Sequence, residues 1–394
     1  MLFYIDGRSA IALNWMNFFL DQGHEVHLAS TFACQPDARL ASYHLTPVAF
    51  SSAKRSTGAS ATAGVQRSRQ GGVWSASLVQ ARTKVRQWLG PLTLPGAARK
   101  LRQIIETVQP ELVHAMRIPY EGMTAALADP KMPLLISVWG NDFTLHAPAT
   151  ALMRDYTHRA LRRADALHAD CQRDIRLAQS WGFDKSKLAF VLPGAGGIQL
   201  DLFSPSGEQD KTPLVINPRG IRAYVRNDTF FRSIPLVLAR QHQVRFVCNT
   251  MAGEAQAQGW VNELGIAANV DLLPQQTRPQ MAALFRRAWL AVSPSTHDGT
   301  PNTLLEAMAC GCFPLAGDLE SIREWITPGV NGLLFDPADP QALAASILSA
   351  LEDPTLRQRA RQINLKLVAQ RAAYEKVMPK ALAYYQEISA QAAR

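Results

Sequence analysis

A length of 394 residues predicts two domains, because single hydrophobic cores rarely extend beyond about 250–300 residues. Apolar residues make up 47% of the chain and charged residues 19%, which is typical of a folded globular protein and excludes an intrinsically disordered one. The formal net charge is +9, and no apolar run approaches the roughly 20 residues that a membrane-spanning helix requires.

Short apolar runs alternate with helical patterns in the first half of the chain. The runs have the length of buried strands, and the segments between them repeat apolar residues at helical spacing. This alternation predicts a parallel, doubly wound sheet. The predicted strands are Leu2–Ile5, Glu25–Ala29, Leu112–Ala115, Leu134–Val138, Ala166–Ala169 and Leu188–Leu192, and the predicted helices are Ile11–Gln22, Ala97–Thr107, Gly122–Ala128, Ala149–Arg163 and Asp174–Ser180.

Positive charge is concentrated between Asp37 and Glu106, a stretch without any acidic residue. Such a stretch suits an anionic membrane surface, a polyphosphate-bearing acceptor or nucleic acid, and it is also typical of a solvated loop. No recognisable nucleic-acid-binding module is present, so nucleic acid is not an expected partner. We favour a basic helix near Gln80–Leu89 and an anionic membrane surface as the partner of residues 54–102.

The same alternation begins again at Leu214, after a segment from Pro193 to Gln209 in which Pro, Gly and Ser cluster. We therefore predict an α/β protein with an N-terminal Rossmann-like domain (1–198), a similar C-terminal domain (199–371) and a final helix (372–394). Ligands of open α/β sheets bind beyond the carboxyl ends of the strands, so the cleft between the domains is the predicted site. The predicted strands are Leu214–Ile216, Arg245–Cys248, Val270–Leu273, Leu290–Val292, Phe313–Leu315 and Leu333–Phe335, and the predicted helices are Phe230–Arg240, Ala255–Leu264, Arg278–Arg287, Thr303–Ala309, Leu319–Ile326 and Pro340–Leu351.

The five cysteines show neither the spacing of a zinc site nor a disulfide framework. Cys310 and Cys312 flank Gly311, and we interpret them as small buried packing residues. The N-terminal segment lacks the basic region of a signal peptide. We therefore expect a reducing cytoplasmic location, with the inner face of the membrane as a peripheral site.

The run from Ser295 to Gly311 is the most informative segment of the chain. It places Asp298 in a loop and Glu306 eight residues later on a helix that Asn302 or Thr303 can cap. The unpaired N–H groups and the dipole at a helix N-terminus suit a phosphate. Two carboxylates beside such a site suit a ligand that carries hydroxyls next to phosphates, as a nucleotide-sugar does. The alternative is an ordinary capped amphipathic helix with solvated acids.

This run resembles the donor-binding signature of the retaining family 4 glycosyltransferases, whose fold is called GT-B. That signature has two acids separated by seven residues, and here the first acid is Asp instead of Glu. The resemblance implies two Rossmann-like domains that face each other across a cleft, with a C-terminal helix that crosses back to the first. The matching residues are Pro294, Ser295, Asp298, Gly299, Thr300, Pro301, Leu305, Glu306, Ala307, Met308, Ala309 and Gly311.

The resemblance covers nearly the whole chain and also implies which residues bind the donor. Asn217–Gly220 is similar to the segment whose Arg binds the donor diphosphate, which implies this role for Arg219. Arg226, or its competitor Arg222, stands in for a Lys of the family. Asp298 would hold sugar hydroxyls and Glu306 the ribose. The implied catalytic residues are Asp298, Glu306, Arg219 and Arg226, and the implied donor-binding residues are Gly7, Arg219, Arg226, Asp298, Gly299, Thr300, Asn302, Thr303, Leu304 and Glu306.

In the first domain, Val138–Asp142 resembles a family segment that faces the cleft near the acceptor. Asn141 and Asp142 are suited either to binding acceptor hydroxyls or to holding a turn. His114 either lines the site or is a satisfied core histidine. Many relatives carry His where Trp139 stands, so no catalytic His is expected there. The predicted acceptor-binding residues are His114, Trp139, Asn141 and Asp142.

The resemblance implies a retaining glycosyltransferase that moves a sugar from a nucleoside-diphosphate sugar to a saccharide or lipid-linked acceptor. In the family, the departing phosphate accepts the acceptor's proton by a same-face attack. The family needs no metal, so neither a metal nor a cofactor is expected, and the sequence contains no Asp-x-Asp triplet. A nucleotide-sugar epimerase and a non-catalytic nucleotide-sugar binding protein are the alternatives.

Overall fold

Two parallel β-sheets, each flanked by helices, form the protein in this computed structural model, which describes residues 1–49, 51, 84–205 and 209–392. The predicted α/β class is therefore confirmed. The first sheet contains β1 (Leu2–Ile5), β2 (His27–Ser30), β3 (Ser42–Leu45), β4 (Val113–Ala115), β5 (Leu134–Val138), β6 (Ala166–Ala169) and β7 (Leu188–Val191), and the second contains β8 (Leu214–Asn217), β9 (Arg245–Cys248), β10 (Val270–Leu272), β11 (Leu290–Ser293), β12 (Phe313–Gly317) and β13 (Leu333–Phe335).

Helices connect the strands in both sheets, as expected for parallel neighbours. Among the described residues, no helix is both long enough and apolar enough to span a bilayer. The helices are α1 (Ala10–Asp21), α2 (described over 84–89), α3 (Leu94–Val108), α4 (Met123–Ala128), α5 (Ala151–Arg163), α6 (Gln172–Ser180), α7 (Asn227–Leu238), α8 (Ala255–Glu263), α9 (Arg278–Arg287), α10 (Asn302–Ala309), α11 (Pro340–Glu352), α12 (Pro354–Arg371) and α13 (Tyr374–Ala392).

In each sheet, successive strands are added on one side of the first strand and then, after a crossover, on its other side. The first sheet runs β3-β2-β1-β4-β5-β6-β7 and the second runs β10-β9-β8-β11-β12-β13. In the second sheet the change of side falls between β8 and β11, which pair in parallel. The loops that leave the carboxyl ends of these two strands diverge at that point and form a crevice, which is where ligands of open α/β sheets bind.

The last helix, α13, packs against the first sheet. Met378 and Tyr385 are buried in one apolar cluster with Trp15 and Phe19 of α1. The expectation of a C-terminal helix that crosses back is therefore confirmed. The two sheets also have separate apolar cores, which agrees with two domains, although the predicted boundaries at residues 198 and 371 stay predictions.

Three elements differ from the sequence prediction. Strand β3, with the sequence Ser-Tyr-His-Leu, was missed because an edge strand with one exposed side has a weak apolar pattern. Helix α12 was missed because polar residues surround its few buried ones. The predicted helix Leu319–Ile326 was wrong, since only a 3-10 turn at Ile322–Glu324 forms there. Contacts with the other domain, described below, occupy that segment.

Candidate functional site

The loop after β8 carries Arg219, and two buried asparagines hold this loop in place. Asn217 accepts the N–H of Arg219 at 3.1 Å through Oδ1 and donates from Nδ2 to Asn227 Oδ1 at 2.9 Å. Asn227, the first residue of α7, donates to the carbonyl of Gly220 at 2.9 Å. The sequence analysis missed both asparagines as functional residues. Asn217 ends β8 and Asn227 begins α7, and this placement is the sequence feature that could have identified them as functional.

Arg219 and Asp298 form an ion pair at the carboxyl edge of the second sheet. Arg219 Nη2 lies 2.6 Å from Asp298 Oδ2, and the two side chains are 9% and 16% exposed. Arg219 Nη1 lies 3.4 Å from Thr303 Oγ1, in the first turn of α10. The Nε atom is buried and has no hydrogen-bond partner among the described residues. The structure therefore brings together three of the predicted donor-binding residues.

The start of α10 differs from the prediction in its cap. Pro301 occupies the N-cap without a side-chain hydrogen bond, so neither Asn302 nor Thr303 caps the helix. Among the described residues, the N–H groups of Asn302 and Thr303 have no acceptor, which leaves them available to an anion. The N–H of Leu304 bonds the carbonyl of Pro301 at 3.0 Å, and its side chain is buried in the core. Leu304 therefore offers neither a free N–H nor an exposed side chain, and its part in donor binding stays a prediction.

Glu306 lies one helical turn beyond Asn302 on the same face of α10. Burial raises the pKa of Glu306 from 4.5 to about 7, and the positive charge of Arg278 offsets only part of this shift. The carboxyl group has no ion-pair partner among the described residues. A half-buried carboxyl that titrates near neutrality is a common feature of binding and catalytic sites.

Buried polar atoms without partners collect around the same edge. Such atoms cost about 1–3 kcal/mol each when they stay unpaired, so a cluster of them requires an explanation. A bound polar ligand would supply the missing partners. In the described part of the second domain they belong to Arg219, Thr229, Asn249, Ser293, Ser295 and Asn302, which lie at or just beyond the carboxyl ends of β8, β9 and β11 or in the first turns of α7 and α10.

Arg173 of the first domain links the loops of both domains beside this edge. Its Nη1 donates to the carbonyl of Asp298 at 2.8 Å and to Ser321 Oγ at 3.0 Å, both in the second domain. Its Nη2 donates to the carbonyl of Gly140 at 2.8 Å. Its charge is balanced by Asp174, whose carboxylate lies 2.8 Å away and is 1% exposed. The backbone position of Asp298 therefore depends on the first domain.

A second group of contacts reinforces this domain interface. Glu324 accepts two amide N–H groups at the start of α6, at 2.9 and 3.0 Å. Thr300 Oγ1 donates to the carbonyl of Asp170 at 2.5 Å. A Cβ atom at Gly299 would lie 2.1 Å from Asp170 Oδ1. Gly299 and Thr300 were predicted to bind the donor, and the structure instead places both in the contact between the domains.

Donor atoms that metals favour occur together in Asp170, Cys171 and Asp174, which lie within 4.8 Å of one another. Burial raises the pKa of both aspartates; the charge of Asp174 raises that of Asp170 further, whereas Arg173 lowers that of Asp174. Asp174 is already paired with Arg173. The cluster therefore belongs to the domain interface, and we assign no metal to it.

His114 lies in the core of the first domain, which agrees with the satisfied core histidine that the sequence left open, and its part in acceptor binding stays a prediction. It is fully buried on β4, and Tyr385 of α13 donates to its Nδ1 at 2.5 Å. Its Nε2 bonds Ser137 Oγ at 2.7 Å, and Ser137 in turn bonds His168 Nδ1 at 2.9 Å. Burial lowers the pKa of both histidines, so they are neutral. This polar chain fastens α13 to the first sheet.

The turn after β5 uses its polar side chains internally. Asp142, 1% exposed, accepts from Arg117 Nε at 3.1 Å and from the N–H groups of Trp139 and Ile118 at 3.1 and 3.2 Å. Asn141 Oδ1 accepts from Arg117 Nη2 at 3.0 Å. Asp142 therefore holds the turn, the second of the two roles predicted for it, and its contact with the acceptor stays a prediction. Trp139 remains half-buried beside a first-domain cavity.

Gly7 has a packing role after β1. Its N–H donates to Ser30 Oγ at 3.0 Å, so this amide is not offered to a ligand. A Cβ atom at this position would lie 2.5 Å from Cys34 Sγ. The neighbouring side chains therefore explain the glycine, and no donor phosphate is needed to explain it.

The two candidates for the second donor-binding cation are held differently. Arg226 forms a forked pair with Asp228 at 2.8 and 2.9 Å, which uses much of its hydrogen-bonding capacity. Arg222 donates from Nε to the carbonyl of Arg219 at 3.0 Å and lies exposed in the same loop. The geometry thus gives Arg222 more freedom to reach a ligand than the sequence analysis expected.

This arrangement of two parallel-sheet domains, with a polar site at the carboxyl edge of the second sheet, is the GT-B fold. Sucrose-phosphate synthase from Thermosynechococcus elongatus has the same fold, with a TM-score of 0.74 at 16% identity over 99% of both chains. Anabaena HepE in complex with UDP-glucose has a TM-score of 0.70 at 15% identity over 98% of this chain and 99% of that one. At these identities the likeness concerns the fold alone.

Sequence comparisons identify the family. The family model "Glycosyl transferase 4-like domain" matches residues 10–194, and the model "Glycosyl transferases group 1" matches residues 199–366. Together the two models cover most of the chain, which therefore belongs to the GT-B glycosyltransferases. It is 31% identical over 211 residues to a D-inositol 3-phosphate glycosyltransferase of Thermobispora bispora, a match that covers 48% of this chain and 49% of that one. The D-inositol 3-phosphate glycosyltransferase of Thermomonospora curvata is 26% identical over 275 residues, a match that covers 63% of this chain and 59% of that one. The chain thus spans about half the length of the first of these relatives.

Proposed function

We propose that the protein is a retaining glycosyltransferase that moves a sugar from a nucleoside-diphosphate sugar to a saccharide or lipid-linked acceptor. The observation that carries the proposal is the ion pair between Arg219 and Asp298 at the start of α10. A sugar and the phosphate attached to it are adjacent in such a donor, so one cation for phosphate and one acid for sugar hydroxyls must lie side by side. Their separation of 2.6 Å meets this requirement.

Glu306, also on α10, is placed to bind the ribose of the same donor. It lies four residues beyond the free N–H of Asn302, which corresponds to about 6 Å along a helix axis. A diphosphate at the helix start would therefore have its ribose near this carboxyl. The solved structures of Anabaena HepE contain UDP or UDP-glucose, which supports a UDP-sugar as the first donor to test.

The proposed chemistry follows from the charges that develop during transfer. Breaking the sugar–phosphate bond builds positive charge on the anomeric carbon and negative charge on the departing diphosphate. Arg219, a second arginine from the 222–226 loop and the N–H groups of α10 would stabilise the negative charge, as preorganised donors do in a closed site. Asp298 would orient the sugar, and the departing phosphate would accept the acceptor's proton on the same face. No metal or cofactor is required in this scheme.

The test is donor turnover. The wild-type protein, with a mixed panel of glycan and lipid acceptors, should release nucleoside diphosphate and form a new glycoside with retained configuration. The variants Arg219→Ala and Glu306→Ala should each lower kcat/KM about a hundredfold, since charged groups that hold the transition state are lost. A changed sugar epimer would instead indicate an epimerase. Binding without turnover would indicate a non-catalytic binding protein, and normal rates in both variants would refute the site.

We also propose that an anionic membrane surface is a partner. The first domain exposes Val85, Trp88 and Leu92, at 54%, 66% and 66%, beside the exposed Lys84. Such a mixture suits the boundary between lipid headgroups and acyl chains. Residues 84–89 of the predicted helix are helical, whereas the predicted basic residues between 54 and 82 lie outside the described part of the chain.

Sedimentation with vesicles tests the membrane proposal. Trp88→Ser should reduce pelleting with phosphatidylserine vesicles, and neutral phosphatidylcholine vesicles should pellet little of either protein. The matched control is Leu236→Ser, which removes an exposed apolar side chain (40%) from the second domain. Equal pelleting of all three proteins would overturn the idea.

A further inference from the structure

A cavity of about 180 Å³ opens at the carboxyl edge of the first sheet, and the site described above does not use it. It lies beyond β1 and β4 and below the turn that follows β5. Three arginines from three different segments reach it, together with three aromatic rings. These lining residues are Arg8, Arg86, Arg117, Phe32, Tyr120 and Trp139.

Arg86 forms no ion pair with the described residues, unlike Arg8 and Arg117. Its guanidinium carbon lies 4.4 Å from the centre of the Tyr120 ring, and Tyr120 donates its hydroxyl to the carbonyl of Arg86 at 2.9 Å. The Nε atom is buried without a hydrogen-bond partner among the described residues. A stacked guanidinium with an open, planar set of donors is suited to binding carboxylate or phosphate.

The other two arginines are partly used and keep some donors free. Arg8 pairs with Asp6 at 2.9 Å and lies 3.5 Å from the centre of the Phe32 ring. Arg117 uses Nε and Nη2 for Asp142 and Asn141, so its Nη1 remains. All three cations can therefore contribute donors to one small anion.

The acids that face the cavity do not cancel this positive charge. Asp6 is committed to Arg8. Glu121 accepts from Thr31 Oγ1 at 2.9 Å; burial raises its pKa, and the charges of Arg86 and Arg117 lower it. Three arginines and two acids, Asp6 and Glu121, line the cavity, so its cations outnumber its acids.

The cavity also faces the donor-binding domain. Trp139 lines the cavity, and the carbonyl of the next residue, Gly140, accepts from Arg173 at 2.8 Å. Arg173 also donates to the carbonyl of Asp298 in the second domain at 2.8 Å. The cavity therefore adjoins the contact between the two domains.

We propose that this cavity is an oxyanion subsite for the acceptor: the molecule that receives the sugar carries a phosphate or carboxylate group, which Arg86 binds with help from Arg8 and Arg117. This inference rests on the proposed glycosyl transfer. The aromatic rings would pack against the carbon skeleton of the acceptor. The turn at Trp139–Gly140 would direct the hydroxyl of the acceptor towards the second domain.

Isothermal titration of the protein saturated with UDP tests the subsite, with inorganic phosphate and glucuronate as probes and glucose as the neutral comparison. The wild type should bind at least one of the two anions and bind glucose more weakly. Arg86→Gln should weaken anion binding at least about tenfold, as expected for the loss of a charged hydrogen-bond donor. Arg86→Lys, which keeps the charge, should lie between the two. Arg154→Gln, on the exposed face of α5, is the control that should bind like the wild type.

Three results would overturn the subsite. Arg86→Gln could bind both anions as tightly as the wild type, glucose could bind as well as glucuronate, or UDP could compete with phosphate, which would assign the cavity to the donor. A failure of the proposed function is distinct, because it appears as a lack of UDP binding by the wild type. The dependence of phosphate binding on Arg86, measured without UDP, then still decides the subsite.

Discussion

Gly140 of the first domain and Gly299 of the second meet without space for a side chain. A Cβ atom on Gly140 would lie 1.7 Å from the backbone nitrogen of Gly299 and 2.2 Å from its Cα atom. Backbone atoms cannot yield to such a contact as a flexible side chain can. The two glycines therefore set how closely the domains approach beside Asp298.

Gly140→Ala should force the domains apart at this contact. We expect kcat/KM for glycosyl transfer to fall by about a hundredfold, because a misplacement near 1 Å is enough for such a loss. The scattering radius of gyration should increase, while the melting temperature changes little. The control is Gly259→Ala in α8, where an added methyl group meets no atom within 4 Å. Unchanged turnover and scattering in Gly140→Ala would contradict the closed arrangement.

Arg173→Met removes the side chain that joins Gly140, Asp298 and Ser321. The substitution leaves Asp174 buried without its cation, and breaking a buried pair in this way costs about 3–5 kcal/mol. Chemical denaturation should show this loss. Arg176→Met, which removes an exposed pair with Glu320, should cost little, as surface pairs contribute only about 0–1 kcal/mol. Equal effects of the two variants would show that Arg173 is not the main link.

Glu306→Gln tests the raised pKa of that carboxyl. The folded pKa of about 7 lies above the unfolded value of 4.5, so the folded state holds the proton more tightly. The stability that this proton contributes is complete below pH 4.5 and is lost as the pH rises towards 7. The glutamine in Glu306→Gln does not titrate, so only the wild type loses this stability. The free energy of unfolding of Glu306→Gln, relative to that of the wild type, should therefore increase between pH 4.5 and 7 and stay constant above pH 7. Denaturation at a series of pH values measures the difference, and parallel pH profiles would contradict the assignment.

The raised pKa of Glu306 also predicts that donor binding depends on pH. If the ribose hydroxyls donate to the Glu306 carboxylate, binding requires the ionised form and should weaken as the pH falls below about 7. UDP-glucose is a suitable ligand, since its diphosphate diester does not titrate in this range. Glu306→Gln should bind more weakly at pH 8 and show no such slope. A slope that persists in the variant would assign the titration to another group.

Tyr385→Phe removes the first donor of the buried chain through His114, Ser137 and His168. His168 donates from Nε2 to the carbonyl of Leu192 at 3.0 Å, so each bond of the chain has one allowed direction and His114 Nδ1 must accept. The loss leaves that nitrogen unpaired at a cost of about 1–3 kcal/mol. Tyr384→Phe, whose ring stacks on Phe190, is the control and should be nearly neutral. Equal melting temperatures for both variants would argue against the chain.

Arg222→Gln and Arg226→Gln decide which arginine serves the diphosphate. Because Asp228 holds Arg226 in a forked pair, we expect Arg222→Gln to raise the Kd for UDP about tenfold, the loss typical of one charged hydrogen bond. Arg226→Gln should change UDP binding by less than Arg222→Gln does. The reverse order would restore Arg226 to the role that the sequence analysis assigned to it.

The class of the protein and most of its elements could be predicted from local pattern. Buried strands such as Leu134–Val138 and Arg245–Cys248 are short apolar runs, and their bounds agree with the structure. The motif around Asp298 and Glu306 also indicated the family, because spacing along a loop and a helix is a local property. Elements with mixed surfaces, such as β3 and α12, escaped prediction because their burial depends on distant partners.

Roles that depend on partners could not be predicted in this way. His114 and Asp142 have the residue types of binding groups, yet their hydrogen bonds are all satisfied inside the first domain. Thr300 belongs to the donor motif by sequence, but its hydroxyl bonds Asp170, which is 130 positions away. Arg173 carried no motif, and only the approach of the two domains shows what it joins.

Residue types within short segments are enough to establish the fold class, the order of the strands and helices, and the chemistry available at the start of α10. Which polar groups remain free for a ligand depends instead on how the folded chain brings distant residues together. Arg219, Asp298 and Glu306 face the carboxyl edge of the second sheet with unmet hydrogen-bonding capacity nearby. The physical reason is that a polar group is available only when no distant residue has satisfied it, and that depends on how the chain folds back on itself.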